Sequence, residues 1–240
     1  MFFWRDDLGG IRRAFTDRAG GVSEPPYAGL NLGGHVGDAS DAVRENRIRV
    51  ARELGVDVSR LVFMDQCHGS DVAAVTDKPA GPLAVDGLVT AEPGLALAVL
   101  VADCTPVLMS DQEAGVIGAV HAGRPGMTGR IVAKAVEAMR DLGARRIAAV
   151  VGPSVCGRCY EVPAEMREAA ASVSPEASAV SWTGTPAIDV AAGVVAQLRD
   201  AGVEDLSWVP GCAREERSLF SYRRDGTTGR FAGVIVRSAS

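Results

Sequence analysis

Long apolar runs are missing from this 240-residue chain. The longest, residues 94–102, is about half of what a bilayer span requires, so it reads as a buried strand. The first residues offer no signal-peptide core either, because Phe2, Phe3 and Trp4 are followed at once by Arg5, Asp6 and Asp7. Neither membrane association nor export is expected, and the sequence reading is cytoplasmic. Lysine is nearly absent, standing only at Lys78 and Lys134, and the net charge is −5. That balance argues against nucleic acid or an anionic membrane as partner, since both attract basic patches. A disulfide framework is excluded on similar grounds: the five cysteines are an odd count and read as reduced thiols. Cys156 and Cys159 form a lone C-x-x-C, and a zinc ribbon would need a second such pair. It reads as a structural loop, with a redox motif as the other option.

What is present is an ordinary globular composition, 47% hydrophobic and 23% charged, long enough to bury a core without disulfides or a structural metal. No repeat or linker divides it, so residues 1–240 are expected to form one domain. Strands are expected near 11–15, 61–64, 72–75, 85–90, 95–102, 116–120, 147–151 and 231–236. Helices are expected near 41–54, 128–142, 163–171 and 189–201, with Ser40 and Asp189 as N-caps and Gly55 and Gly143 as stops. Strands that follow one another in the middle, with helices clustered later, point to α+β rather than strict βαβ alternation.

Histidine is also scarce, at His35, His68 and His121 only. Each stands beside glycine or one residue from it in an expected strand-end loop, and Asp103-Cys104 closes the most apolar strand. Strand ends are where a rigid scaffold hands side chains to a cleft. Two imidazoles and a thiolate, from His68, His121 and Cys104, would make a three-ligand zinc set with a fourth position open to water. Such a metal would lower the pKa of that water to roughly 7. Asp103 next to the thiol is a candidate base or support, although strand alternation would turn it to the opposite face. The same residues allow a rival chemistry, in which His121 activates Cys104 as a nucleophile.

Longer motifs carry a resemblance. Thr16-Asp17-Arg18-Ala19-Gly20-Gly21-Val22-Ser23 is followed by Leu30-Asn31-Leu32-Gly33-Gly34-His35-Val36-Gly37-Asp38 and Asn46-Arg47. Gln66-Cys67-His68-Gly69, Asp86-Gly87-Leu88-Val89-Thr90, Ala102-Asp103-Cys104-Thr105-Pro106 and His121-Ala122-Gly123 come next. Gly152-Pro153, Tyr160-Glu161-Val162, Phe220-Ser221-Tyr222-Arg223-Arg224-Asp225-Gly226 and Thr228-Gly229-Arg230 complete the series. In this order, over nearly the whole chain, they resemble the YfiH/YlmD, laccase-domain or "multicopper polyphenol oxidase" family. The resemblance implies a layered α/β domain shared with the cytotoxic-necrotizing-factor catalytic fold. It also implies a metal site of His68, Cys104 and His121, with Zn2+ the usual ion and copper the other option. His35 would be a cleft residue. Two departures stand out: Arg124-Pro125-Gly126 replaces the family's usual Trp-Arg-Gly, and Cys67 stands where Val is common.

Three histidines cannot build a centre of several copper ions, so laccase chemistry is not expected. The resemblance implies instead a purine nucleoside phosphorylase acting on adenosine, inosine and methylthioadenosine, with adenosine deamination as a side activity. Phosphorolysis needs an anion site, and Arg18, Asn31, His35, Arg47, Arg223 and Arg224 are the candidates for substrate and phosphate. Another branch of the family implies hydrolysis of the amide in UDP-MurNAc-L-serine, a peptidoglycan precursor. A non-catalytic binding partner is the remaining reading. The expected ligand is thus a small molecule, either a nucleoside with phosphate or a nucleotide-linked sugar amide.

Overall fold

In the computed structural model, which describes residues 1–238, the expected apolar strand is Ala96–Val101 and is buried along its whole length. Its side chains alternate between two partners. Ala96, Ala98 and Leu100 pack towards a helix over Ser40–Glu53, whereas Leu97, Val99 and Val101 enter a core between two sheets. A strand covered on both faces belongs inside a layered fold.

In chain order the strands are β1 (Phe2–Leu8), β2 (Ile11–Thr16), β3 (Leu61–Phe63), β4 (Val72–Ala74), β5 (Gly87–Thr90), β6 (Ala96–Val101) and β7 (Thr105–Asp111). Then follow β8 (Val116–Ala122), β9 (Ala148–Val151), β10 (Ser178–Val180), β11 (Pro186–Ile188), β12 (Asp205–Trp208) and β13 (Phe231–Arg237). The helices are α1 (Ser40–Glu53), α2 (Arg124–Thr128), α3 (Ile131–Asp141), α4 (Ala164–Val173), α5 (Val190–Asp200) and α6 (Tyr222–Asp225). None of them is long and apolar enough to cross a membrane.

One sheet has the order β1-β2-β13-β6-β3, the other β12-β9-β7-β8-β5-β4, and β10-β11 form a separate hairpin. Their inner faces meet through Phe15, Leu97, Val99, Leu108, Ile117, Phe231 and Ile235. Helix α1 covers the outside of the first sheet, and α2, α3 and α5 cover the outside of the second. The result is a four-layer α+β sandwich. The chain passes from the first sheet to the second twice in succession, between β3 and β4 and again between β6 and β7. Both crossings matter for the site.

Three local departures from the sequence expectations have physical causes. The helix expected over 128–142 is α3 and starts only at Ile131, because Arg130 adopts a left-handed φ of 58° and separates it from the short α2, which ends at Thr128. Strand β7 is central although Pro106 occupies its second position, where only the strand end is affected; Pro106 still accepts a hydrogen bond at its carbonyl from Gly152. Helix α1 begins at Ser40 itself, with Ala39 as N-cap and no side-chain cap. Asp189 does cap α5, accepting from the Ala192 N–H at 2.9 Å.

At the far end of β7, Asp111 joins two loops. Its buried carboxylate accepts from the N–H groups of Glu113 and Ala114 in the β7–β8 turn and of Arg145 and Arg146 before β9. Burial opposes its ionisation, but the four donors outweigh burial and hold the carboxyl below its ordinary value. Asp111→Ala is therefore expected to cost about 2–4 kcal/mol in urea unfolding at pH 7, because four backbone donors lose their acceptor. A depressed folded-state pKa stabilises above the unfolded carboxyl value of about 4 and loses that effect as pH falls through the folded value. The gap between wild type and Asp111→Asn should narrow as the medium is acidified, and a gap independent of pH would contradict this reading.

Candidate metal centre and its cleft

The two crossings between sheets bring the rare residues together. His68 lies on the loop after β3, Cys104 on the turn that joins β6 to β7, and His121 near the end of β8. Alternation along β8 turns Val116, Val120 and Ala122 to the helices and Ile117 and Ala119 to the inter-sheet core. His121 shares the second face, and it points inward at the rim of the sandwich. The His68 backbone has a φ of 59° and Asp103 one of 104°, both unusual for residues with a Cβ.

One ligand atom from each of His68, Cys104 and His121 falls within a mutual 4.8 Å. The two imidazole rings stand nearly perpendicular, with centroids 4.8 Å apart. Gly123 keeps the space beside them open: a Cβ there would stand 3.1 Å from the His68 ring and 3.2 Å from Cys104 Sγ. This donor set, with space at one side, fits a single ion held by three protein ligands with a position to spare. A soft thiolate and two imidazoles suit zinc well.

The organising carboxylate is Asp86, which the sequence reading did not single out. It is fully buried just before β5, one residue beyond the Gly87–Val120 pair and so opposite His121. Its Oδ1 lies 2.7 Å from His121 Nδ1 and accepts from the His68 N–H at 3.0 Å. Its Oδ2 accepts from the Gly69 N–H at 2.6 Å and from the Cys67 thiol at 3.1 Å. The contact to Nδ1 leaves His121 Nε2 as the atom available to a metal. Burial opposes the Asp86 anion, yet His121, Cys67 and Gly69 together hold the carboxyl well below its usual range. Cys67 is exposed, and its hydrogen bond to Asp86 raises its thiol pKa, which makes it a poorer nucleophile.

Cys104 and His121 form a charge pair in the metal-free protein. Burial alone would raise the Cys104 thiol, but the His121 and His68 imidazoles outweigh it and lower the value to about 6. Burial would likewise disfavour a His121 cation, but Cys104 and Asp86 raise that value to about 9. The two shifts describe one thiolate–imidazolium pair backed by a carboxylate.

Above the trio lies a cleft of about 750 Å³, a size suited to small molecules. Tyr160, Tyr222, Met64 and Leu100 supply its apolar wall, and Arg124, Arg223 and Arg230 its positive charge. Of the candidates for substrate and phosphate, His35 and Arg223 line this cleft. Burial and the nearby Arg230 lower the His35 pKa, which favours its neutral imidazole. Arg223 lies over the Tyr160 ring and donates to the Glu161 carbonyl.

The other four candidates serve the scaffold. Arg18 donates to the Ala28 carbonyl and lies over Phe220. Asn31 is buried and ties Gly33, Asp38 and the Arg230 N–H together. Arg47 donates twice to the Leu32 carbonyl and stacks on Phe63, in a separate depression. Arg224 donates to the carbonyls of Ala213, Arg214, Glu216 and Leu219 and pairs with Asp225. Their guanidinium and amide groups are taken up by loop carbonyls, which is why motif position alone does not mark an anion site. Asp103 does reach the cleft wall, because its positive φ breaks the strand alternation, but both its oxygens are engaged. One accepts from Ser221 Oγ at 2.6 Å and the other from the Arg223 N–H at 2.7 Å. The geometry makes it a support for the first turn of α6.

The model of the family described as multi-copper polyphenol oxidoreductase laccase matches residues 12–238. The chain belongs to this family, the YfiH/YlmD group. A purine nucleoside phosphorylase of Streptomyces coelicolor is 56% identical over 98% of this chain and 99% of its own. One from Streptomyces griseus is 58% identical, covering 95% and 94%. The crystal structure of YlmD from Geobacillus stearothermophilus superposes with a TM-score of 0.89 at 34% identity, covering 96% of this chain and 93% of that one. The family description mentions several copper ions, but the chain has three histidines, of which His35 lies outside the ligand cluster. The residues fit one metal ion at this site, not a multicopper centre.

Proposed function

We propose that this protein is a zinc-dependent purine nucleoside phosphorylase acting on adenosine, inosine and methylthioadenosine, with adenosine deamination as a side activity. The observation that carries this reading is the composition of the cleft: a set of three possible metal ligands beside tyrosine rings and arginines that line the same space. The relatives named purine nucleoside phosphorylase support it. Tyr160 and Tyr222 offer faces on which a purine can stack. Arg223 and Arg230 offer charge to phosphate, whose oxygen attacks C1′ of the ribose as the bond to the base breaks. A bound zinc ion would add Lewis-acid polarisation and activate water for the side reaction. The departing purine takes a proton, which solvent water in the open cleft can supply, and the neutral His35 lines the cleft as a hydrogen-bonding partner for the base. The unpaired cysteines suit the reducing cytoplasm proposed as its compartment.

Purified, metal-loaded protein should release adenine from adenosine only when phosphate is present, with ribose 1-phosphate as co-product. Arg230→Ala should raise the KM for phosphate by about tenfold while leaving the KM for adenosine nearly unchanged. If neither adenine nor hypoxanthine is formed, the proposal is wrong.

A second reading has one specific observation behind it, the Cys104–His121–Asp86 array, which is the arrangement of a cysteine hydrolase. It would attack the amide of UDP-MurNAc-L-serine. Under that reading chelator-treated protein stays active and Cys104 alkylates rapidly at neutral pH. Under the leading one, metal protects the thiol and its removal stops turnover.

A further inference from the structure

The lone C-x-x-C has a partner that sequence spacing conceals. Cys156-Gly157-Arg158-Cys159 forms a turn closed by the Cys159 N–H on the Cys156 carbonyl at 2.9 Å. Cys212-Ala213-Arg214-Glu215 forms the same kind of turn, closed by the Glu215 N–H on the Cys212 carbonyl at 3.0 Å. A bridge between Ser154 and Cys212, with the Ala213 N–H donating to the Ser154 carbonyl, sets the turns side by side. One donor atom from each of Cys156, Cys159, Cys212 and Glu215 lies within a mutual 4.8 Å.

We infer that these four residues form a second metal site, a closed zinc site with three thiolates and one carboxylate. Bond lengths of about 2.3 Å to sulfur and about 2.0 Å to oxygen place tetrahedral neighbours roughly 3.5–3.8 Å apart. Cys159 Sγ already lies 3.4 Å from Glu215 Oε1. The Cys156 N–H points at Cys212 Sγ from 3.4 Å, which holds that sulfur beside the first turn. Trp182 Nε1 donates to the same Glu215 oxygen at 3.2 Å, the kind of outer hydrogen bond that orients a ligating carboxylate. Cys159 and Cys212 are buried, and Val155 and Tyr160 pack around them. A disulfide accounts for two of three sulfurs and gives the carboxylate no role. Four protein donors leave no position for substrate, so the ion holds structure.

What it holds is one wall of the cleft. Val155 and Tyr160, on either side of the first turn, line the cleft directly. Arg224, whose helix presents Arg223 to the cleft, donates to the carbonyls of Ala213 and Arg214 in the second turn. The ion would join the segments from Val155 to Tyr160 and from Cys212 to Glu215 behind that wall, whatever reaction the cleft performs.

Metal analysis of protein purified without chelator tests this independently of activity. Wild type should carry about two zinc ions per chain, and His68→Ala/His121→Ala about one, retained at the second site. Cys212→Ser should lose that ion and keep the one at His68, Cys104 and His121. If Cys212→Ser does not fold, X-ray absorption on the folded double-histidine variant decides: three sulfur ligands at about 2.3 Å and one oxygen are expected. A double-histidine variant free of metal would overturn the inference. So would iron in place of zinc, or a mass two hydrogens lower that shows a disulfide among the three cysteines.

Discussion

Cys104→Ser is expected to empty the catalytic site of metal and to lower kcat/KM for adenosine phosphorolysis by about 10³-fold or more, which is about 4 kcal/mol of transition-state stabilisation. Cys104 is the only anionic ligand among His68, Cys104 and His121. A serine hydroxyl keeps its proton at neutral pH and leaves two neutral imidazoles, which hold a divalent ion poorly. The thiol is already disposed to lose its proton, its value lowered to about 6 against the opposing effect of burial. Metal content and steady-state kinetics on the same preparation check the result. A variant that keeps both its full metal complement and its turnover would remove Cys104 from the site.

Asp86→Ala should have the second largest effect, on metal affinity and stability together. The carboxylate fixes the His121 ring, the His68 and Gly69 backbone and the Cys67 thiol at once. Loss of an orienting carboxylate typically lowers metal affinity by about 10–100-fold. Because the group is fully buried, removing it also leaves His121 and the backbone N–H groups of Cys67, His68 and Gly69 without their acceptor, at a cost of about 3–5 kcal/mol. Asp86→Asn keeps the shape and one carbonyl oxygen, so it should recover part of the stability but little of the affinity. Competition against a chromogenic chelator and thermal melts of the two variants separate these effects. Equal zinc affinity in Asp86→Asn and wild type would show that the negative charge plays no part in holding His121.

The cluster of His68, Cys104 and His121 was legible in the sequence because histidine is scarce and these residues occur at the ends of apolar strands near glycine. Asp86 carries a weaker signal, an Asp-Gly before an apolar strand, which reads as an ordinary turn until the β5–β8 register sets it opposite His121. Arginines misled for a related reason: Arg18, Arg47 and Arg224 stand in the resembling motifs as Arg223 and Arg230 do, and only the fold shows which of them line the cleft. Cys212 and Glu215 escaped because the second half of the cluster is C-x-x-E, which no cysteine count reveals. In the fold, the buried strand β6 and the Asp189-capped α5 followed directly from apolar pattern and capping chemistry. Strand β7 did not, since Pro106 conceals it, and β1 did not, since Arg5, Asp6 and Asp7 break its apolar run.

The place of β13 also governs when the molecule can be completed. It is inserted between β2 and β6, with Phe231 opposite Val101, three residues before Cys104. A ribosome releases β13 after every other described strand, so a nascent chain carries His68, Cys104 and His121 while the middle of the first sheet is still open. The edges of β2 and β6 stay unpaired during that interval and need protection from other chains. An ion held by His68, Cys104 and His121 would then load at the close of biosynthesis, after the sheet is sealed.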